Sequence, residues 1–209
     1  MNTNNGKILK ELERLYPDAK PALKFRSPYE LLVAVILSAQ CTDERVNKVT
    51  QVLFAEHDTP EKMLTLSQSE LEKYIFSCGF YRNKAAHILS ASRDILEKYG
   101  GEVPPMLEQL KTLAGVGQKT ANVVYAVAFG GDAIAVDTHV FRVSNRLGLA
   151  HGNTPAKVEA ALNEAIPKEL WSKAHHYLIY HGRRVCHSQK PDCSACTLKE
   201  LCEYFNGNN

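Results

Sequence analysis

Cys186, Cys193, Cys196 and Cys202 are four of the six cysteines in a 209-residue chain, and they are separated by six, two and five residues. Thiols so grouped either pair as disulfides or, as thiolates, bind metal. The first residues, MNTNNGKILKELERLYP, are polar and then amphipathic, without the apolar stretch of a secretory signal. The most apolar run, Leu31 to Leu37, is far shorter than the roughly 18 residues that span a bilayer. The expected compartment is therefore the cytoplasm, where thiols stay reduced, and the expected use of the four thiols is a metal site. The spacing suits zinc as well as an iron–sulfur cluster.

A second group of residues lies in LEQLKTLAGVGQKTANVVYAVAFGG, Leu107 to Gly131. Leu107, Leu110 and Leu113 line one side of a short helix. Gly115-Val116-Gly117 follows, and then a second helix with Val123, Val124 and Val127. Two glycines one residue apart allow a turn that side chains forbid, and they allow close approach to a ligand. The first amides of the second helix point outward unpaired, a setting suited to a phosphate. Val116 is expected to turn inward and lock the two helices. A Walker loop is excluded, because only Gln118 separates Gly117 from Lys119 and a helix rather than a strand precedes. A helix-hairpin-helix gripping a DNA backbone fits better, with a purely structural turn as the competing reading. Lys119 falls in the first turn of the second helix, where the dipole disfavours an ammonium. Partial burial there would depress its pKa and suit it to act as an amine nucleophile; a surface lysine beside a phosphate is the bland alternative. In AVDTHVFRVSNRLG, Asp137 precedes an amphipathic helix and reads first as its N-cap. A capping carboxylate can also act on charge or protons in a site.

The elements that must position these groups are helices. Ser27-Pro28 with Glu30, and Ser67 with Glu70, have capping-box spacing, and Thr59-Pro60 and Thr154-Pro155 are caps followed by an N1 proline. Gly100-Gly101 ends a further helix. Alternating patterns are scarce, and AIAV, Ala133 to Val136, is too short to found a sheet. The reading is an all-α protein of about ten short helices. The net charge of +2 does not by itself mark a nucleic-acid binder. The stretch Trp171 to Lys190, with Lys173, Arg183, Arg184, Lys190, four histidines and no acid, is a candidate phosphate-facing surface.

LAGVGQKTANVV, then VDTHVFRVSNRLG, then C-x6-C-x2-C-x5-C, in that order, resembles the endonuclease III family of helix-hairpin-helix DNA glycosylases, and the resemblance covers nearly the whole chain. It implies a two-domain all-α fold. Residues 21–131 would form a six-helix barrel containing the hairpin (about 107–130), and residues 1–20 with 132–209 an iron–sulfur domain. It implies a [4Fe–4S] cluster on Cys186, Cys193, Cys196 and Cys202, with Cys41 and Cys78 as core thiols outside it. It implies Lys119 as nucleophile and Asp137 as catalytic carboxylate. DNA would be contacted by Gly115, Val116, Gly117 and His139, with Gln40 and Phe80 on two inserting loops. The implied activity is bifunctional: N-glycosylase on oxidised pyrimidines in duplex DNA, and AP lyase acting by β-elimination through a lysine Schiff base. The implied partner is double-stranded DNA with damaged bases or abasic sites, met by a nucleoid-associated monomer and not a membrane. The chain departs from the family pattern at Ala114 and Gln118, often Pro and Arg, and at Phe80, commonly Leu. The relative that excises adenine opposite oxidised guanine lacks the lysine. Two other classes compete: a DNA-binding module without catalysis, disfavoured by Lys119 together with Asp137, and a zinc-containing scaffold, which would be colourless where an iron–sulfur protein is brown.

Overall fold

The computed structural model describes residues 3–207. Among them the regular structure is helical, with no strand. In chain order the α-helices are α1 Thr3–Leu15, α2 Pro28–Ser38, α3 Asp43–Glu56, α4 Pro60–Met63, α5 Gln68–Ile75, α6 Tyr81–Tyr99, α7 Leu107–Leu110, α8 Gln118–Phe129, α9 Thr138–Leu147, α10 Pro155–Ala165, α11 Trp171–Arg184 and α12 Glu203–Gly207. Short 3-10 turns occupy Phe76–Cys78, Lys168–Leu170 and Lys199–Leu201. None of the described helices is long and apolar enough to cross a membrane.

Most of the punctuation read from the sequence operates as written; at Ser27 only half of the expected capping box forms, because the Glu30 carboxylate accepts from the Arg26 amide and guanidinium instead of the Ser27 amide. Ser27 accepts from the Glu30 amide ahead of Pro28, Thr59 from Lys62, and Thr154 from Lys157. Ser67 and Glu70 form the full reciprocal capping box. Gly100 closes α6 in the left-handed conformation, φ 63°. The chain divides into two compact units, one of Pro21–Gly131 and one of Met1–Lys20 with Asp132–Asn209.

In the unit Pro21–Gly131 the central element is α2. Nine of its eleven residues, Tyr29 to Leu37, are buried, so it must be wrapped by other helices; Glu30, the one charged residue among them, is paired with Arg26. Val46 and Leu53 of α3, Leu71 and Ile75 of α5, Ile88 and Ile95 of α6, and Val124 of α8 share its core. The resemblance implied six helices for this span. Hydrogen bonding gives seven α-helices there, of which α4 and α7 are single turns, started by Thr59-Pro60 and after Met106.

The other unit has its own core. α1 buries Ile8, Leu9 and Leu12, each worth about 1.5–3 kcal/mol when fully covered. α9 buries Val140, Val143, Ser144 and Leu147, a helical stripe. Val158, Leu162, Ala174, Leu178 and Leu198 complete the cluster. Ala133 to Val136 are all buried yet form no strand. The run serves as a covered link into α9.

Candidate active site and metal centre

The hairpin is built in the unit Pro21–Gly131. After α7, the Val116 amide donates to the Leu113 carbonyl at 3.1 Å and the Val116 side chain is buried, as its place between two glycines implied. The two glycines do different work. Gly115 has φ +77°, and a Cβ there would stand 2.8 Å from the Cβ of His87 on α6. Gly117 has ordinary extended backbone, φ −84° and ψ 179°, and a Cβ there would meet nothing within 4 Å. As N-cap of α8, Gly117 supplies no capping side chain. The first intrahelical bond runs from the Ala121 amide to the Gly117 carbonyl at 2.9 Å. The amides of the first turn are therefore available to an anion. Gln118 turns its side-chain amide along the helix to Asn122 Oδ1 at 2.9 Å.

Lys119, in the first turn of α8, is exposed. The burial on which the sequence argument relied is absent. What remains is its place in the first turn of α8, two residues after Gly117.

Gln40 and Phe80 share an unusual trait. Both are exposed, and both hold the left-handed backbone region, φ 52° and φ 47°. For a bulky residue this is an outlier. Gly79, φ 67°, precedes Phe80, whose side chain is 64 % exposed.

Asp137 lies in the other unit and is the N-cap of α9. Its Oδ1 accepts from both the His139 and the Val140 amides at 2.8 Å. The residue is half-buried, and Oδ2 takes no part in the cap. His139 is packed against Gly182, where a Cβ would stand 3.0 Å from its own. Arg142 Nη2 lies 3.2 Å from His139 Nδ1. Since a guanidinium only donates, Nδ1 accepts. Burial pulls the His139 pKa down, so this side chain offers a phosphate no charge at neutral pH.

The four C-terminal thiols are free and line one pocket of about 330 Å³, part of it open to solvent, together with Arg146 and His181. Among the described residues no three Cys, His, Asp or Glu side chains are grouped as one metal ion would require. Burial pushes the Cys196 and Cys202 thiols up, so a bound cation must displace their protons. Sequence reasoning missed the groups that hold this loop. Arg142 donates to the carbonyls of Cys186 (3.0 Å) and Gly182 (2.9 Å). Arg146 donates to those of His187 (2.6 Å) and Ser188 (2.9 Å), and its Nη1 reaches Cys186 Sγ at 3.5 Å. Tyr16 Oη lies 2.9 Å from Nδ1 of buried His181, whose Nε2 is 3.7 Å from Cys196 Sγ. Burial holds the His181 pKa down at about 4, so a neutral ring takes the tyrosine hydroxyl on one nitrogen and offers N–H to sulfur from the other. The four-residue spacing of Arg142 and Arg146 was the available signal, but alone it reads as a solvated face. Of the basic stretch, Lys173, Arg183, Arg184 and Lys190 are exposed, with Arg184 over the Tyr180 ring. Its histidines mostly pack: buried His175 lies 2.8 Å from the Ala135 carbonyl.

Residues 33–168 match the family described as HhH-GPD superfamily base excision DNA repair protein. Endonuclease III of Haemophilus influenzae is 48 % identical over 202 residues, spanning 97 % of this chain and 96 % of that one. Endonuclease III of Bacillus subtilis is 50 % identical over 195 residues, spanning 93 % and 89 %. A solved structure of a trapped covalent endonuclease III–DNA intermediate superposes with a TM-score of 0.93 at 47 % identity, covering 100 % of this chain and 99 % of that one. With hairpin, lysine, capping aspartate and thiol loop all in place along such matched lengths, the chain belongs to the HhH-GPD superfamily of base excision DNA repair proteins and, within it, to the endonuclease III family.

Proposed function

We propose that this protein is a bifunctional DNA N-glycosylase and AP lyase of base excision repair, with Lys119 as nucleophile. The observation that carries the assignment is an exposed lysine two residues beyond the hairpin, in the first turn of α8. The trapped covalent DNA complex described for a relative of 47 % identity supports a covalent route. The Lys119 amine attacks C1′ of the damaged nucleotide, and the C1′–base bond breaks with its electron pair leaving on the base. The departing base takes a proton from Nζ, the C1′–O4′ bond breaks with O4′ protonated from solvent, and a protonated Schiff base remains between C1′ and Nζ. Loss of a proton from C2′ then breaks the C3′–O bond and expels the 3′ phosphate. Asp137, with one oxygen in the cap, offsets the positive charge that develops on the sugar. Oxidised pyrimidines are the substrates that the family resemblance implies. The test is incubation with a duplex bearing one abasic site, with and without borohydride. Strand cleavage and a covalent adduct are expected; binding without either would leave a non-catalytic module.

Cys186, Cys193, Cys196 and Cys202 would hold a [4Fe–4S] cluster, which in this setting pins the C-terminal loop. The four thiols line one pocket, four thiolates are the ligand set of such a cluster, and the family resemblance favours it over zinc.

The hairpin glycines give separable outcomes. Gly117→Ala is expected to change stability by no more than about 0.5 kcal/mol, because its methyl enters open space. It should still weaken binding to undamaged duplex at fixed salt, by obstructing a phosphate. Gly115→Ala is expected to lose about 1–2 kcal/mol from its left-handed backbone, with the contact to His87 in addition. If Gly117→Ala binds duplex like wild type, the hairpin is a structural turn only.

Phe80→Ala tests the inserting loop. Extruding a stacked base costs a few kcal/mol, so base release is expected to slow about tenfold or more while cleavage at a pre-formed abasic site changes about twofold or less. At 64 % exposure the ring contributes little to the core, and the unfolding midpoint should hold. A lowered midpoint with equal loss on both substrates would assign the ring to packing.

A further inference from the structure

Lys84 is the fourth residue of α6 and is 4 % exposed. An ammonium at that depth is costly unless each donor is satisfied. Its Nζ donates to the carbonyls of Leu37 at 2.8 Å, Ala39 at 2.7 Å and Cys78 at 2.8 Å. An ammonium has three N–H donors, so the set is complete. All three acceptors lie where a helix ends. Leu37 is in the last turn of α2, Ala39 is its C-cap, and Cys78 closes the 3-10 turn. Such carbonyls lack internal partners and carry the negative end of the dipole.

These stems carry Gln40 and Phe80, two of the three non-glycine residues with left-handed backbone among the described residues. Gln40 directly follows Ala39, and Phe80 stands two residues after Cys78. Each costs about 1–2 kcal/mol in backbone conformation, and such strain persists only where the surroundings over-determine it. The Lys84 amide also donates to the Phe80 carbonyl at 3.1 Å. One residue thus grips both loop stems by side chain and one loop tip by backbone. Burial lowers the Lys84 pKa, a trait also found in nucleophilic amines, but its three donors are spent on carbonyls.

We propose that Lys84 is a positioning residue for base extrusion: its ammonium ties the stems of the Gln40 and Phe80 loops together and presents both side chains outward before any duplex is met. The proposal rests on the reading of Gln40 and Phe80 as duplex-inserting residues. A preformed wedge loses less ordering entropy on binding than a mobile loop.

The test compares Lys84→Met, which keeps length without donors, with Lys84→Gln, which keeps two donors. Single-turnover rates are measured on a duplex with an oxidised pyrimidine and on the same duplex with a pre-formed abasic site, below each variant's unfolding midpoint. Lys84→Met is expected to slow base release by about tenfold to a hundredfold, the scale of an ångström of misplacement. Cleavage and borohydride trapping at the abasic site should stay within about twofold, and Lys84→Gln should fall between wild type and Lys84→Met. Combined with Phe80→Ala, Lys84→Met should lose less than the product of the two separate effects, the part that remains acting through the Gln40 loop. Equal slowing on both substrates, or full additivity with Phe80→Ala, would overturn the proposal. So would failure of both Lys84 variants to fold, because the residue would then serve the whole unit. If Phe80→Ala changes the ratio between substrates and Lys84→Met does not, only the positioning role falls. If Phe80→Ala leaves that ratio unchanged, the insertion reading is at fault and this proposal falls with it.

Discussion

Lys119→Gln is expected to abolish the covalent adduct that borohydride traps on abasic DNA, while colour, fold and duplex affinity persist. The side chain is exposed, so its replacement should leave the core intact. Glutamine keeps most of the length and removes the amine, without which no Schiff base forms. Trapping is a present-or-absent readout, and the loss should exceed about a thousandfold, as when the nucleophile of a covalent mechanism is removed. Asp137→Asn separates two roles of one residue. Asparagine still caps α9, because an amide oxygen can accept the His139 and Val140 amides as Oδ1 does now. It cannot offset positive charge, so base release should slow by about a hundredfold or more. The abasic site should suffer less, its base being already gone. A Lys119→Gln protein that still traps would move the nucleophile elsewhere, and an Asp137→Asn protein with normal base release would reduce Asp137 to a cap.

The second large effect belongs to the thiol loop. Anaerobically isolated protein should contain about four irons and four sulfides per chain. Cys196→Ser is expected to lose the brown colour and to lower the unfolding midpoint, by about 2–4 °C for each kcal/mol lost at this chain length. The loop has few apolar anchors of its own; Leu198 is its fully buried side chain. Arg142 and Arg146 hold its carbonyls, but hydrogen bonds of this kind contribute only about 1–3 kcal/mol each. DNA affinity should fall through misplacement of the loop, whereas borohydride trapping should persist on whatever DNA is bound. Stoichiometric zinc without iron in wild-type protein would overturn the cluster.

Local chemistry was legible in the sequence and long-range geometry was not. Ser27, Thr59, Ser67 and Thr154 could be read as caps because the donor each satisfies lies within three residues. The thiol group and the hairpin were readable for the same reason: their function is written in short spacing. The difference between Gly115 and Gly117 depends on His87, nearly thirty residues away, and no local pattern reports it. The left-handed backbone at Gln40 carries no turn signature, and at Phe80 only Gly79 hints at it. For Lys119 the sequence leaves a partly buried and a surface side chain both open, and the structure has it exposed, because helix position follows from sequence whereas cover depends on what packs above. Arg142, Arg146 and His181 act on groups fifteen or more residues away, so their roles appear only once the chain is folded.

The discontinuity of the unit Met1–Lys20 with Asp132–Asn209 has a consequence during synthesis. The unit Pro21–Gly131 is one unbroken stretch and has all its core residues once residue 131 has emerged from the ribosome. α1 is made before that unit, yet beyond Tyr16 the residues that share a core with Ile8, Leu9 and Leu12 run from Ile134 to Cys202. At about 5–20 residues per second, that helix waits on the order of ten to forty seconds for its partners. Through that interval its apolar stripe is flanked by Lys7, Lys10, Glu11, Glu13 and Arg14, charges of the kind that keep an exposed hydrophobic segment from associating with its neighbours on other nascent chains.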